Sequence, residues 1–239
     1  MLIDVVTIFP SLFDSIFSSG VIAKGIQSGR LQFQTHNLRA YTTDKHKTVD
    51  AIPFGGGTGL IFKIEPLVKA LRAIEKPSLK TKSILLSPRG TVFSQVVAER
   101  LSTYERLILF CGRYEGVDER FSTYVDEELS IGDYVLTGGE IPAMVIMDVV
   151  SRLVPGVIGD EAAPQQDSFT EAYKRGLEHP HYTRPRVFEG KEVPEVLATG
   201  HHKRIAAWRR KEALNITLQR RPDLLNPSDY ADEKSGRDS

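Results

Sequence analysis

Two short segments of this chain carry residues whose types and spacing suit chemistry. The first is Cys111-Gly112-Arg113-Tyr114-Glu115-Gly116-Val117-Asp118; the second is Ser130-Ile131-Gly132-Asp133-Tyr134-Val135-Leu136-Thr137-Gly138-Gly139-Glu140. An apolar run, Arg106-Leu107-Ile108-Leu109-Phe110, leads straight into the first. Glycines let a backbone approach a ligand closely, and loops at the carboxyl ends of strands are where open α/β sheets bind ligands. From Cys111 to Glu140 stand eight acidic residues (Glu115, Asp118, Glu119, Asp126, Glu127, Glu128, Asp133, Glu140) against Arg113 and Arg120. That balance argues against a phosphate cradle and suits a cationic or polar ligand, whose charged head Glu115 or Asp133 could hold. The alternative is a solvated acidic surface. Gly138-Gly139 alone would read as a hairpin turn. Two such loops, both after strands and followed by an apolar helix, point instead to a ligand site.

The remaining candidates are less specific. Gly55-Gly56-Gly57-Thr58-Gly59 is not a P-loop, because no Gly-Lys-Ser/Thr follows, and it lacks the spacing and preceding strand of a dinucleotide fingerprint. It is either a flexible surface loop or a substrate-facing one, with Arg39, Lys45, His46, Lys47 and Asp50 as neighbours in sequence. Arg152 ends an apolar helical stretch, where a cation favours the helix dipole. Asp167, before Ser168-Phe169, reads as a helix cap. The residues alone single out neither. His179, His181, His201 and His202 match no metal-ligand spacing with a cysteine pair, so structural zinc is not expected. Cys111, the one cysteine, ends an apolar strand and reads as a small core residue rather than a nucleophile.

The elements that must position these groups alternate. Leu2–Phe9 reads as an apolar strand, and Pro10-Ser11-Leu12-Phe13-Asp14 opens a helix with Ser11 as its cap. Leu31, Phe33 and Thr35 alternate with polar residues as in a half-exposed strand. A helix starts at Glu65-Pro66 and runs to about Lys76. A short buried strand covers Ser83–Ser87, a helix Ser94–Leu101, a strand Arg106–Cys111 and a strongly apolar helix Pro142–Val154. This alternation predicts an α/β fold, a mostly parallel sheet with helices on both faces. From Pro155 to Asp167 breakers and small polar residues read as a linker. Beyond it the signals are helical, chiefly His201–Arg221, stopped by Pro222, with Trp208 as a core residue. The division expected is residues 1–158, a linker over 159–169, and a small, mostly helical domain over 170–239.

At 239 residues the chain buries roughly 70% or more of its unfolded surface and needs no disulfide to fold. Its 31 basic and 31 acidic residues cancel, but unevenly. Residues 201–221 hold Lys203, Arg204, Arg209, Arg210, Lys211, Arg220 and Arg221 against Glu212 alone. A patch this basic can bind a phosphate backbone even on a neutral protein. The N-terminus reads as a strand, not a signal peptide, and no apolar run approaches the roughly 18 residues of a membrane span. A soluble, cytoplasmic protein with no membrane partner is expected.

Over about Met1 to Asp223 the chain closely resembles the bacterial tRNA (guanine-N1)-methyltransferases of the SPOUT class. The resemblance rests on Leu86-Ser87-Pro88, Cys111–Glu115, Ser130–Glu140, Ser151-Arg152, Asp167-Ser168-Phe169, Pro180-His181-Tyr182-Thr183-Arg184-Pro185 and Trp208-Arg209. It implies an α/β sheet whose C-terminal part is threaded into a trefoil knot, which general topology rules would disfavour. It implies a cytoplasmic homodimer that methylates the guanosine just 3′ of the anticodon of tRNA, with S-adenosyl-L-methionine as donor, no DNA partner, and a requirement for Mg²⁺. By matching motif, the adenine and ribose meet Leu86, Pro88, Gly112 and the backbone of Ile131, Gly132, Asp133, Tyr134, Val135 and Leu136. Gly138 and Gly139 close the pocket, and Tyr114 and Glu115 face the methionine end and target base. The substrate-facing set is Asp50, Gly57, Gly59, Arg113 and Arg209.

Asp167 becomes the general base and Arg152 its electrostatic partner, with Glu115 and Asp167 as oxygens for Mg²⁺. The residue types suit the chemistry: a carboxylate can take the guanine N1 proton, and a guanidinium can hold charge building on O6. The target base must leave its stack to be reached. This sequence departs from the family pattern at Thr58, Leu60, Lys45, Lys47 and in a short C-terminal tail, positions that bear on RNA affinity more than on the reaction. Two other classes stay open: a non-catalytic RNA-binding protein, which loss of Asp167 or of the Gly112 loop would favour, and a small-molecule enzyme, against which the basic 203–221 cluster counts.

Overall fold

The fold is described by a computed structural model covering residues 1–75, 78–160 and 163–225. The chain forms two compact units, Met1–Gly159 and Asp160–Ser239.

In the first unit, β1 (Leu2–Thr7) is followed by a 3₁₀ turn over Pro10–Phe13, then α1 (Asp14–Phe17) and α2 (Gly20–Gln27). Next come β2 (Gln32–Asn37), the short β3 (Asp50–Ala51) and β4 (Ile61–Phe62), and α3 (Ile64–Ile74). The unit is completed by β5 (Thr81–Val92), α4 (Gln95–Ser102), β6 (Arg106–Cys111), β7 (Glu127–Ser130) and α5 (Glu140–Leu153). Five strands pair in the order β2-β1-β6-β5-β7, every pair parallel. Alternate residues of the strands feed opposite cores. Ile3, Val5, Leu107, Leu109 and Cys111 pack with Ile22 of α2, Leu101 of α4 and Ile146 and Val150 of α5. Val6, Ile108 and Phe110 pack with Leu67, Leu71 and Ile74 of α3. Both faces are thus covered, as the near-continuous apolar strands require.

Local chemistry explains most of the boundaries. Ser94 caps α4, its hydroxyl accepting from the Val97 amide at 3.5 Å. Pro66 sits in the first turn of α3, where its missing N–H costs nothing. Ser11 is not the cap expected near the N-terminus: Pro10 opens a 3₁₀ turn instead, and Phe9 precedes it. The expected short strand Ser83–Ser87 is also longer. β5 runs on to Val92, with Leu86 and Thr91 both opposite Leu129 of β7, so residues 87–90 bulge out of the ladder. Gly90 closes that bulge: a Cβ there would lie 2.5 Å from the Glu128 backbone.

One polar cluster is threaded through the sheet. Asp4, wholly buried on β1, accepts from Arg106 Nε at 2.7 Å and lies 2.6 Å from His36 Nε2. Tyr41 reaches the other nitrogen of His36 at 3.2 Å, and burial followed by the Asp4 charge raises the Tyr41 pKa.

In the second unit, 3₁₀ turns at Ala163–Gln165 and Glu171–Tyr173 precede a hairpin of β8 (Val187–Phe188) and β9 (Lys191–Glu192), then α6 (Glu195–Ala198) and α7 (His202–Arg220). The hairpin is a short β element within a domain expected to be mostly helical. Among the described residues of α7, Ala213 and Thr217 are its buried ones. Thr217 Oγ1 accepts from the Leu177 amide at 2.9 Å and donates to the Ala213 carbonyl at 2.7 Å. His179 contacts Tyr173 through Nδ1 at 2.7 Å and meets the Trp208 ring edge-on at 6.4 Å. Trp208 is half-buried in this cluster, and burial pushes the His179 pKa down. Ser168 and Phe169 are tied into the same unit, Ser168 Oγ accepting from the Glu178 amide at 3.1 Å and the Phe169 amide donating to the Gly176 carbonyl at 2.7 Å.

Asp4→Asn removes the charge that balances a buried guanidinium. The expected cost is about 3–5 kcal/mol, read as a lower denaturation midpoint with an unchanged m-value.

Candidate functional site

The two glycine segments converge. A cavity of about 510 Å³ opens at the carboxyl ends of β5, β6 and β7. One wall is the β5 bulge, with Leu86, Ser87, Pro88 and Arg89; a second is the Gly112–Val117 loop after β6; the third is the Ile131–Gly139 loop after β7, with Pro142 of α5. Of the predicted cofactor residues, Leu86, Pro88, Gly112, Tyr114, Glu115, Ile131, Gly132, Tyr134, Val135, Leu136, Gly138 and Gly139 line it. Asp133 is exposed and not among the lining residues. Ser87, Arg89, Val117, Thr137 and Pro142 also line the cavity, though no cofactor role was assigned to them from sequence. Ser87, Val117 and Thr137 lay within the quoted motifs, which was the signal for them.

The two loops are locked together through main chain. The Gly139 amide donates to the Gly112 carbonyl at 2.8 Å, and Arg113 bridges to Gly138 in antiparallel fashion. A Cβ on Gly139 would stand 2.7 Å from Cys111 Cα, and one on Gly138 would stand 2.6 Å from both Arg113 Nε and Glu140 Oε2. Contact this close, rather than turn geometry, is what requires glycine at both positions.

Behind this junction Glu140, 1% exposed, accepts from Thr7 Oγ1 at 2.8 Å and from Arg113 Nε at 3.0 and 3.1 Å. The Arg113 guanidinium also lies over the Phe9 ring at 4.5 Å. Arg113, expected to face substrate, therefore has its Nε committed to a buried carboxylate while the residue still borders the cavity. Cys111 is buried, and desolvation followed by the Glu140 charge holds its thiol well above the usual range. It is a packing residue, as its strand-end position suggested.

The acidity of the segment is mostly spent on structure. Asp118 pairs with Arg120 at 2.7 Å, Glu119 with Arg89 at 2.7 Å and Glu127 with Arg100 at 2.8 Å. Asp126 accepts from the Ser83 amide at 2.7 Å. Of the eight acids only Glu115 and Glu119 line the cavity, so the charge count overstated the negative character of the site.

Tyr114 adopts φ +60°, uncommon for a bulky residue and of the kind that persists where surrounding structure fixes it. Its ring meets Phe62 edge-on at 5.6 Å. Its hydroxyl interacts with Asp50 and Arg39, and burial, then Asp50, raises its pKa. The glycine segment 55–59 belongs to the same neighbourhood, being the tip of the β3–β4 hairpin. The Glu115 amide donates to the Leu60 carbonyl at 3.0 Å, and a Cβ on Gly59 would fall 2.7 Å from Glu115 Cγ. Asp50 and Gly59 are thereby brought to the cavity rim; Gly57 lies exposed at the tip.

Arg152, at the exposed end of α5, belongs to the first unit, and Asp167 and Arg209 belong to the second. Among the described residues no group of three or more His, Cys, Asp and Glu side chains is placed to hold a metal ion.

Sheet and cavity together define an α/β ligand-binding protein of the open parallel-sheet class, its site outside the carboxyl ends of the strands. A family model described as tRNA (Guanine-1)-methyltransferase TrmD matches residues 1–227, and the chain belongs to that family. It is 52% identical over 97% of its length to the tRNA (guanine-N(1)-)-methyltransferase of Dictyoglomus turgidum, covering 92% of that protein. It is 50% identical to the enzyme of that name from Fervidobacterium nodosum, over 98% of this chain and 95% of the other. The corresponding figures for Aliivibrio fischeri strain MJ11 are 51%, 98% and 94%.

Gly139→Ala forces a methyl group into the Cys111 backbone. We expect a loss of about 1–3 kcal/mol in thermal unfolding. Gly116→Ala, whose glycine has no atom within 4 Å of its built Cβ, separates crowding from backbone strain, since it meets only the conformational penalty of φ +122°.

Proposed function

We propose that the chain transfers a methyl group from S-adenosyl-L-methionine to N1 of the guanosine 3′-adjacent to the anticodon of tRNA, forming 1-methylguanosine. The observation carrying this reading is the convergence of Leu86–Pro88, Gly112–Glu115 and Ile131–Gly139 on one cavity, in a chain whose relatives bear that enzyme name. The cavity suits an adenosine joined to a short amino-acid arm. Leu86, Pro88, Ile131, Val135 and Leu136 offer apolar surface to a flat base, and the glycine main chain offers hydrogen-bonding groups to its edge. Glu115 puts a carboxylate at the rim for a cationic head. S-adenosyl-L-methionine supplies the methyl group.

The chain's own residues prepare the guanosine. Asp167 takes the N1 proton, and Arg152 stabilises the charge that builds on O6. Tyr114, Asp50, Gly57 and Gly59 border the base and its neighbours. The exposed cations of α7, Arg209 among them, bind the RNA backbone at a salt-dependent cost. Glu115 and Asp167 are the oxygens we assign to a Mg²⁺ arriving with substrate. Among the described residues no group of three or more His, Cys, Asp and Glu side chains is placed to hold an ion by itself.

The same reading gives residues 1–158 as a trefoil-knotted SPOUT domain, 159–169 as linker and 170–239 as the tRNA-binding domain of a cytoplasmic homodimer. Each site then draws Arg152 from one chain and Asp167 from the other. The 12 residues of Pro155–Gln166 could span about 40 Å if extended, enough to carry Asp167 to a partner.

Incubation with S-adenosyl-L-methionine and unmodified tRNA, followed by nucleoside mapping by mass spectrometry, should place 1-methylguanosine next to the anticodon. Asp167→Asn should lower the single-turnover rate by about 10²–10⁴-fold while calorimetry shows donor affinity unchanged. Near-normal turnover would remove Asp167 as base.

Sharing of the site has its own test. Co-expressed Arg152→Ala and Asp167→Asn chains should regain partial activity as a heterodimer, because one pocket then receives both native residues. No recovery, with the heterodimer verified by mass, would place both residues on one chain.

A further inference from the structure

The most exposed large apolar side chain recorded in the first unit is Phe54, 104% accessible, with Ile52 beside it at 75%. Phe54 stands on the β3–β4 hairpin, and with Ile52 it puts apolar surface from two neighbouring residues of one loop into open water. The foot of the hairpin is fixed. Asp50 pairs with Phe62 and Ala51 with Ile61; the Phe62 amide donates to the Gly116 carbonyl at 3.0 Å, and the Glu115 amide to the Leu60 carbonyl at 3.0 Å. The tip is bare: no atom lies within 4 Å of where side chains would begin at Gly55, Gly56 or Gly57. A foot tied to the Gly112–Val117 wall of the cavity therefore carries an unpacked aromatic on the same hairpin.

The segment that leads into the hairpin carries positive charge. Lys45, His46 and Lys47, all exposed, lie on the segment leading into β3, whose turn Asp44 fixes by accepting from the Thr48 amide at 3.0 Å. Arg39 donates to the Lys47 carbonyl at 3.3 Å and interacts with the Tyr114 hydroxyl. An exposed ring and exposed cations on one connection between β2 and β4, whose hairpin foot is tied to a wall of the cavity, are the kinds of groups that bind single-stranded nucleic acid by stacking and charge.

Resting on the function proposed above, we infer that Phe54 is a stacking platform for the nucleotide that flanks the target guanosine, and that Lys45 and Lys47 hold the adjoining phosphates. Phe54 is a positioning residue: its partner base stays outside the pocket and fixes which nucleotide of the loop is presented.

The probe is an anticodon stem-loop RNA with 2-aminopurine on either side of the target guanosine. Wild-type protein should quench the fluorophore on one side. Phe54→Ala should abolish that quenching and raise the tRNA KM roughly ten- to a hundredfold, with donor affinity and melting temperature unchanged. Phe54→Trp should restore both signals and Phe54→Leu neither, because leucine keeps the apolar volume but has no ring to stack. Equal performance of the leucine variant, or unaltered quenching in the alanine variant, overturns the inference. Loss of the dimer in Phe54→Ala would also overturn it, showing that a second copy of the chain covers the ring. A wild-type protein that makes no 1-methylguanosine refutes the function instead, whatever Phe54 does.

Discussion

The buried carboxylate of Glu140 is the interaction on which the site depends. It sits at the first residue of α5, where the helix N-terminus favours a negative charge, and it gathers Thr7 from the end of β1 and Arg113 from the loop after β6. Three segments distant in sequence are fixed to one point at the back of the cavity. Arg113 cannot swing away without leaving that carboxylate buried and unpaired, at a cost of several kcal/mol. Gly138 lies against the Arg113 and Glu140 side chains, and Gly139 against the Cys111 main chain, so a side chain at either would push on this junction. The cavity walls inherit their positions from this junction.

The β5 bulge supplies the remaining wall by a different device. A strand that simply continued would have sent Ser87, Pro88 and Arg89 along the sheet edge. Two residues opposing Leu129 in place of one throw that stretch out to face the other loops. Gly90 makes the return possible by lying against the β7 backbone. Rigidity on one side and irregularity on the other are thus built from one parallel sheet.

Where a single local rule dominated, the sequence was readable. β6 is six buried residues in a row, and α5 has an apolar stripe too long for a strand, so both were clear. α4 was legible from Ser94 and α3 from Pro66. The convergence of the two glycine segments followed from each lying after a strand. The continuation of β5 beyond Pro88 and Gly90 was not legible, because both residues read as loop; they lie in the bulge, and pairing with β7 resumes only at Thr91 and Val92. The burial of Glu140 was hidden for a related reason: an acid in an acidic stretch looks solvated, and its partner Thr7 lies 133 positions away. Asp133 looked like its neighbours, and only the path of the chain turns it outward. The role proposed for Arg152 and Asp167 rests entirely on family resemblance; no spacing or periodicity distinguishes either.

The glycine main chain at the junction of the two loops has an evolutionary corollary. Elsewhere in a protein a single substitution can remove a contact, enlarge a pocket or turn an acceptor into a donor. At Gly112, Gly138 and Gly139 there is no side chain to exchange, and the amides and carbonyls are the same whatever the genetic code supplies. A side chain at Gly139 would displace the Cys111 backbone at the end of β6, and one at Gly138 the Arg113 and Glu140 side chains that lock the loops. Selection for a new ligand, or for escape from an inhibitor occupying this cavity, is therefore shifted to residues whose side chains line it, such as Leu86, Tyr114, Val135 and Leu136.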